Sequence, residues 1–474
     1  MAITALESGD IASRSTYPGK AAVVSWVFFD WAAQPYFTLI TTFVFAPYFA
    51  THVAPDAARG QALWGFATAS AGIAIALLSP VLGAIADATG RRKPWVAAFG
   101  AMLVIGASAM WIGGPGEPDI IPPLLFAYAI ATVGVEFATV FNNAMMPTLV
   151  PPERIGRLSG AGWATGYIGG ILSLILVLGF LAANPDTGRT LFGFAPLFGL
   201  DPVAHQGDRI SGPLTGIWFI IFVLPMFLLT PDYPARHRLR DALRAGLREL
   251  KGTLLELPRQ RSIAAFLFAN MIYTDGLVSL FAFGGIYAAG TFGWSTIQIG
   301  TFGIILAIAG TFGGFIGGRL DDRFGPKRVI AGSMTILLLA IIAILSVNKD
   351  SILFIPVTPP QPGGALFASA AERAYLILGC CIGAVGAPLQ AASRSLLIRM
   401  APKDRIAQYF GLFALTGKVT SFLGPLLIGI VTAATGSQKA GMATLVLFFV
   451  TGLALLARIR HSGASRSDEP GIPK

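Results

Sequence analysis

Nine polar side chains interrupt stretches of this sequence that are otherwise apolar. They are Asp30 and Gln34, Glu136 with Asn142 and Asn143, Asp275, Gln390 with Arg394, and Lys418. A charge inside an apolar span is costly, so it faces a cavity or a partner. Three acids and two bases suit two kinds of chemistry. They can grip both ends of a zwitterion, or they can form a salt bridge that a proton opens and closes. A purely structural alternative stays open, in which the charges pair and hold the spans together. Arg394 is also close enough to a span end to extend its head group into water. Asp30 is the sharpest candidate, because Gln34 and Pro35 follow within about one and a half helical turns.

Helices must carry these residues. Hydrophobic residues make up 54% of the 474 and charged residues only 12%, about half the charge of a soluble domain. Most of the surface must therefore face lipid. Twelve segments can span a bilayer: 22–48, 62–86, 94–113, 121–147, 157–182, 212–229, 262–289, 296–319, 327–346, 372–400, 408–434 and 439–459. Several exceed the roughly 20 residues needed, so they tilt, kink or project. Gly424-Pro425 predicts a kink in the eleventh. At about 1.5 Å per residue, the five charges lie about 9–18 Å from one surface, in a single layer. The first twenty residues are polar and the apolar run after them is too long for a signal peptide, so the first span targets the chain. With the N-terminus placed inside, 26 of the 34 Lys and Arg fall in inner segments and six in outer loops. That bias predicts cytosolic N- and C-termini. It also reads the net charge of +10 as a topology signal that attracts anionic inner-leaflet lipid, not nucleic acid.

Two turns repeat at an offset of 235. Gly83, Asp87 and Gly90 precede Arg91-Arg92-Lys93, and Gly318, Asp322 and Gly325 precede Pro326-Lys327-Arg328. A second match relates Pro151, Glu153, Arg154, Ile155 and Gly160 to Pro402, Asp404, Arg405, Ile406 and Gly411. The second segment thus matches the eighth and the fourth the tenth, so the chain consists of two similar halves. In such a turn the glycines permit a tight bend and close helix contact. Asp87 can accept hydrogen bonds from a helix N-terminus or an arginine. The basic run can hold the loop at the inner membrane surface. The alternative role is a topology determinant and helix cap.

Two parallel six-helix halves resemble the major facilitator superfamily over the whole length. The expected fold is all-α, with twelve transmembrane helices in two six-helix pseudo-symmetric halves. The resemblance implies that the paired turns form a cytosolic gate, with Asp87 and Arg91 as its latch and a weaker copy at Asp322, where Pro326 replaces an Arg. It implies that the first, fourth, seventh and tenth helices line the cavity. Gly162, Gly166, Gly169 and Gly170 resemble the superfamily's antiporter motif, with Tyr167 in place of its Pro; close helix packing is the simpler reading.

A narrower resemblance is carried by Phe29-Asp30-Trp31-Ala32-Ala33-Gln34-Pro35-Tyr36, Thr41-Thr42-Phe43 and Pro47-Tyr48-Phe49, Asn142-Asn143-Ala144, Gly160-Ala161-Gly162-Trp163, and Tyr273-Thr274-Asp275-Gly276. These segments are similar to the vacuole-effluxer-like family, which includes fungal autophagy-related amino-acid effluxers and bacterial members. Ala33 departs from the Asn common there. The resemblance implies export of small polar metabolites such as amino acids, with proton coupling as one option, from a bacterial-type inner membrane. A drug or sugar transporter on the same fold is the alternative, as is a receptor or scaffold that has lost transport.

The predicted organisation is a cytosolic N-terminus over 1–21, a first bundle over 22–229, a linker over 230–261, a second bundle over 262–459 and a disordered tail over 460–474. Leu239, Leu243, Leu247, Leu250, Leu254 and Leu257 alternate with basic residues in the linker, which predicts an amphipathic helix at the inner headgroups or against the bundle ends. Cys380 and Cys381 are adjacent and read as plain core residues. The histidines, His52, His205, His237 and His461, are scattered, so neither a metal nor a cofactor is expected. Gly417-Lys418 lacks the spacing and hydroxyl of a phosphate loop. No enzymatic constellation stands out, and a monomer is expected.

Overall fold

A computed structural model of the chain describes residues 17–88, 91–151, 154–232, 260–359, 366–401 and most of 409–459. The predicted linker helix, the tail, Gly90 and Lys418 lie outside the described residues. The helices, in chain order, are α1 (Lys20–Pro35), α2 (Ala57–Ala88), α3 (Lys93–Ala109), α4 (Ile121–Asn143), α5 (Ile155–Leu176), α6 (Ser211–Leu229), α7 (Arg261–Phe292), α8 (Thr296–Phe324), α9 (Pro326–Leu345), α10 (Ala370–Met400), α11 (Leu423–Thr435) and α12 (Gln438–Arg458). Among the described residues, ten helices are long and apolar enough to cross a membrane, and α11 is a shorter apolar helix.

The first expected span is continuous in path but not in winding. Pro35 ends α1, and Tyr36–Phe43 is wound as a π-helix. Proline removes a backbone donor, and the turns beyond it re-pair at wider spacing. The hydroxyls of Thr41 and Thr42 both donate to the Phe37 carbonyl, at 2.7 and 2.8 Å. The eleventh span is broken as well. Thr420–Phe422 is a turn, and α11 starts afresh at Leu423 with Pro425 in its first turn, where the Gly-Pro pair predicted a kink.

Helix packing repeats with a shift of six. In the first half α1 packs on α5 and α6, α3 on α4 and α6, and α2 on α4. In the second, α7 packs on α11 and α12, α9 on α10 and α12, and α8 on α10. The duplicated turns thus mark a duplicated three-dimensional arrangement. Cys380 is half-buried and Cys381 exposed, so they are not core residues as expected. In a chain that faces lipid, an apolar side chain need not point inward.

Contacts between the halves concentrate at the end remote from Lys20 and Arg458, here the far end. Gln61 of α2 donates to Thr432 of α11 at 2.8 Å and to the Gln438 carbonyl of α12 at 3.1 Å. Gln438 donates back to the Ala57 carbonyl at 2.9 Å. Below this, glycines bring backbones together, as small residues do between membrane helices. A Cβ on Gly65 would lie 2.7 Å from the Pro425 carbonyl, and one on Gly285 of α7 would lie 2.6 Å from the Thr42 carbonyl.

The far end also holds a titratable cluster. The rings of His52 and His205 are 4.0 Å apart, and His205 Nδ1 is 2.9 Å from Asp208. Asp208 in turn accepts from the hydroxyl of Thr296, the first residue of α8, which joins the halves. Tyr48 packs on both rings, and Arg209, over the Trp111 ring, and Glu117 are the other charges nearby. Burial, and next the adjacent His205, hold the His52 pKa below its ordinary 6.5.

Two predictions follow from this closure. Gly65→Leu overpacks the seam at a cost of about 1–3 kcal/mol. Labelling of Gln61→Cys by a maleimide added at the far end should then rise about fivefold or more; unchanged labelling would refute the seam. A closed end that depresses the His52 pKa binds fewer protons than an open one. Closure is therefore fully supported above about pH 6.5 and weakens as pH falls through the depressed value. Labelling should rise on acidification, and His52→Gln should flatten that rise.

Candidate functional site

Asp30 is positioned by its sequence neighbours. Trp26 is buried and its indole N–H donates to the Asn142 carbonyl of α4 at 2.8 Å. Phe29 is buried edge-on against Phe219 of α6. Trp31 stacks on Trp218, whose N–H donates to the Trp31 carbonyl at 3.0 Å. With α1 pinned on both flanks, the Asp30 side chain projects toward α5.

The glycines of α5 receive it. A Cβ on Gly162 would collide with Asp30 Oδ2. One on Gly166 would be 3.3 Å from Asp30 Cβ, one on Gly169 2.9 Å from the Trp31 carbonyl, and one on Gly170 2.8 Å from Gln34 Cγ. Every member of the motif therefore faces α1, which supports the packing reading of its spacing. Asp30 and Gln34 sit along this seam, both partly exposed. Among the described residues no hydrogen bond or ion pair engages the Asp30 carboxyl.

Above Asp30, a polar chain crosses three helices. Tyr36 bonds Thr132 of α4 at 2.6 Å and the Tyr128 carbonyl at 3.3 Å. Tyr128 bonds Thr68 of α2 at 3.0 Å. Glu136 stands one turn from Thr132, half-buried and within electrostatic reach of Tyr36. Tyr36, Thr68, Tyr128 and Thr132 carry no charge, so the sequence signal that singled out Glu136 passed over them.

The remaining candidates divide. Asn143 of α4 and Gln390 and Arg394 of α10 are exposed. Asn142 is 0% exposed, and both its side-chain polar atoms are buried with no partner among the described residues. Asp275 is 4% exposed and accepts the Gly424 N–H at 3.0 Å. These last two are enclosed, so they do not face an open cavity here.

The paired turns lie at the near end. Gly83 and Asp87 fall in the last turns of α2, and Arg91 is exposed. The backbone N–H groups of Arg92 and Lys93 donate to the two carboxylate oxygens of Asp232, at 2.8 and 3.2 Å. That aspartate, which the sequence reading missed, caps the N-terminus of α3. The Lys93 ammonium donates to the Phe227 carbonyl in the last turn of α6 at 2.8 Å. In the second half Lys327 donates to the Ile459 carbonyl at the end of α12 at 2.7 Å. Each lysine of the basic run thus caps the sixth helix of its own half. Asp322 and Arg328 are exposed, and the ion pair there joins Asp321 of α8 to Arg399 of α10, at 3.7 Å. Gly318 has open space around it, and the close approach is made by Gly317 against Pro388. Gly325 takes φ +82°, as the tight turn requires.

The Asp30–Gly162 contact can be tested by a double-mutant cycle. Gly162→Ala should destabilise the protein by about 1–3 kcal/mol, read by thermal unfolding in detergent. Adding Asp30→Ala should recover much of that loss, with a coupling of about 1 kcal/mol. Gly160→Ala, with nothing within 4 Å, should be near neutral. Additive losses would refute the contact.

Comparison with known proteins agrees with this geometry. The family described as "Vacuole effluxer Atg22 like" matches residues 65–468. The "Uncharacterized MFS-type transporter YxiO" of Bacillus subtilis is 25% identical over 438 residues, covering 91% of this chain and 93% of that protein. "Autophagy-related protein 22" of Cryptococcus neoformans is 24% identical over 316 residues, 64% of this chain, and the match spans 50% of the fungal protein. Among solved structures, a bacterial homolog of the human lysosomal transporter Spinster, inward-facing and unoccupied, superimposes with a TM-score of 0.62 at 14% identity, covering 94% of this chain and 98% of that one. These relatives are transporters and not enzymes. The chain is an integral, multi-pass membrane transporter of the major facilitator superfamily and belongs to the vacuole effluxer Atg22-like family.

Proposed function

We propose that this transporter exports small polar metabolites, amino acids first among them, by alternating access across a bacterial-type inner membrane. The observation that carries the reading is the Asp30 carboxyl. It is held in place by both neighbours in sequence, set against a glycine and engaged by no bond among the described residues. Such a group suits the ammonium of a zwitterion. The exposed Arg394 on α10 supplies a cation suited to a carboxylate, and Asn143 and Gln390 supply neutral hydrogen-bonding groups.

The charge bias supports a cytosolic near end. With the far end closed, that orientation presents the near end to cytosolic substrate, as export requires. The substrate class rests on the resemblance carried by Phe29–Tyr36 and Tyr273–Gly276, and on the effluxer description of the family. Seating a substrate changes the relative stability of the two states only through contacts that differ between them.

Inside-out vesicles test the reading directly. A labelled amino-acid mixture should accumulate when a pH gradient is imposed. Asp30→Asn should lower the initial rate by about tenfold or more, while the inserted amount stays unchanged. Absence of accumulation by the inserted wild-type protein would remove the amino-acid assignment.

A further inference from the structure

The seam that holds Asp30 has a counterpart in the second half. There α7 stands where α1 stands in the first, and α11 where α5 stands. Asp275 of α7 packs against Gly424 of α11, as Asp30 of α1 packs against Gly162 of α5. In both halves a carboxylate on the first helix meets a glycine on the fifth. The two copies differ in exposure: Asp30 is partly exposed, while Asp275 is enclosed.

Enclosure leaves an electrostatic remainder. One oxygen of Asp275 accepts the Gly424 N–H at 3.0 Å, at the fresh N-terminus of α11. The other, Oδ1, is buried and has no partner among the described residues. One turn along α7, Ser279 is 0% exposed and its hydroxyl likewise has no partner among the described residues. Both point at the same spot. A Cβ on Gly424 would be 3.2 Å from Asp275 Oδ1 and would collide with Ser279 Oγ. Two side-chain oxygens therefore converge on a space that only glycine leaves open. A metal cation takes a shell of six or more oxygens when it is hard and oxygen-bound. A proton needs only two.

We propose that Asp275, Ser279 and Gly424 form a proton-binding site of the second half, in which Asp275 Oδ1 carries the proton and Ser279 Oγ lies across the same space beside Gly424. The O–H bond forms at Asp275 with a proton drawn from water in the alternate conformer and returned to water on the other side. The site is placed to act on the transport cycle. Pro425, the next residue, sets its carbonyl against Gly65 of α2 in the other half, and Phe422 lies against Gly72. Loading the site changes the charge on the cap of α11, and α11 carries the seam that closes the far end. Among the described residues, the other titratable groups nearby are Tyr273, bonded to Ser393 of α10 at 2.6 Å, and the exposed Arg394 next to Ser393 in sequence; Lys418 lies outside the described residues. On the facing part of α12, Phe448 and Phe449 approach Gly276.

This deepens the transporter reading by naming its coupling ion, and infrared spectroscopy tests it without a substrate. The purified full-length protein at neutral pH should show a carboxylic-acid C=O band that shifts on exchange into heavy water. Asp275→Asn, which keeps an oxygen for the Gly424 N–H, should abolish the band. Asp30→Asn should leave it, and Ser279→Ala should change its frequency. A band that survives Asp275→Asn, or is unmoved by Ser279→Ala, overturns the proposal. So does one that disappears when Na⁺ replaces choline, which would assign the site to a metal cation. If Asp275→Asn does not fold, the Ser279→Ala frequency decides alone. A band that behaves as expected in a protein that accumulates no amino acid would sink the substrate reading and leave the proton site standing.

Discussion

An acidic side chain inside a bilayer has little to bind except other parts of the same protein. Whatever holds it must come close, and closeness between helices is limited by side chains. In this transporter the limit is lifted by glycine, at the same place in both halves. Gly162 lets α5 close over Asp30, and Gly424 lets α11 close over Asp275. Most of the remaining architecture serves these two contacts. Trp26, Phe29 and Trp31 fix the rotation of α1, and Gly276 lets α12 press on α7 behind Asp275. The halves then diverge at the break in the fifth helix. Because α11 restarts at Leu423, its free N–H groups supply a cap for Asp275. In contrast, α5 runs unbroken past Gly162 to Leu176, so its N–H groups at that level are used within the helix and Asp30 receives no such partner.

The same economy of partners explains the near-end turns. A helix that ends at a membrane surface leaves carbonyls unpaired, and a basic side chain nearby can satisfy them. Lys93 does this for α6 and Lys327 for α12. The basic run therefore secures the sixth helix of each half, in addition to any attraction for anionic lipid. Asp232 closes the first copy by capping α3. A carboxylate that leaves α3 would expose two N–H groups, so this cap ties the residues after α6 to the start of α3.

Much of the fold was legible in the sequence because it depends on composition along the chain. Apolar runs and the duplicated Gly-Asp-Gly turns required no knowledge of which helices touch. Asp30 was legible for the same reason, as a charge in the wrong solvent. What stayed hidden depends on contacts between distant segments. Neither Asp232 nor the Tyr36–Thr132–Tyr128–Thr68 chain interrupts an apolar span with a charge. His52 and His205 are 153 positions apart by their numbering, and their meeting at the far end follows only from how the loop before α6 folds back on the end of the first span. Asn142 shows the converse error: it stands out along the chain, yet α1 closes over it through Trp26.

The far-end closure gives the transport cycle its energetic terms. A closed end held by a few hydrogen bonds, each worth about 0.5–1.5 kcal/mol net between neutral groups and about 1.5–3 kcal/mol to a carboxylate, is strong enough to define a state and weak enough to leave it. Gln61, Gln438 and Thr296 supply such bonds, and the glycine seam beneath them adds dispersion contacts that are lost together once α2 and α11 part. A pair of states separated by a few kcal/mol responds to any ligand with a comparable preference for one of them. Asp30 and Asp275 are suited to provide that preference from opposite sides of the interface. One is partly exposed, and the other sits enclosed behind the helix that makes the seam. Coupling between them requires no relay of contacts along the membrane. It requires only that both carboxylates be bound to helices that the closing of the far end brings together.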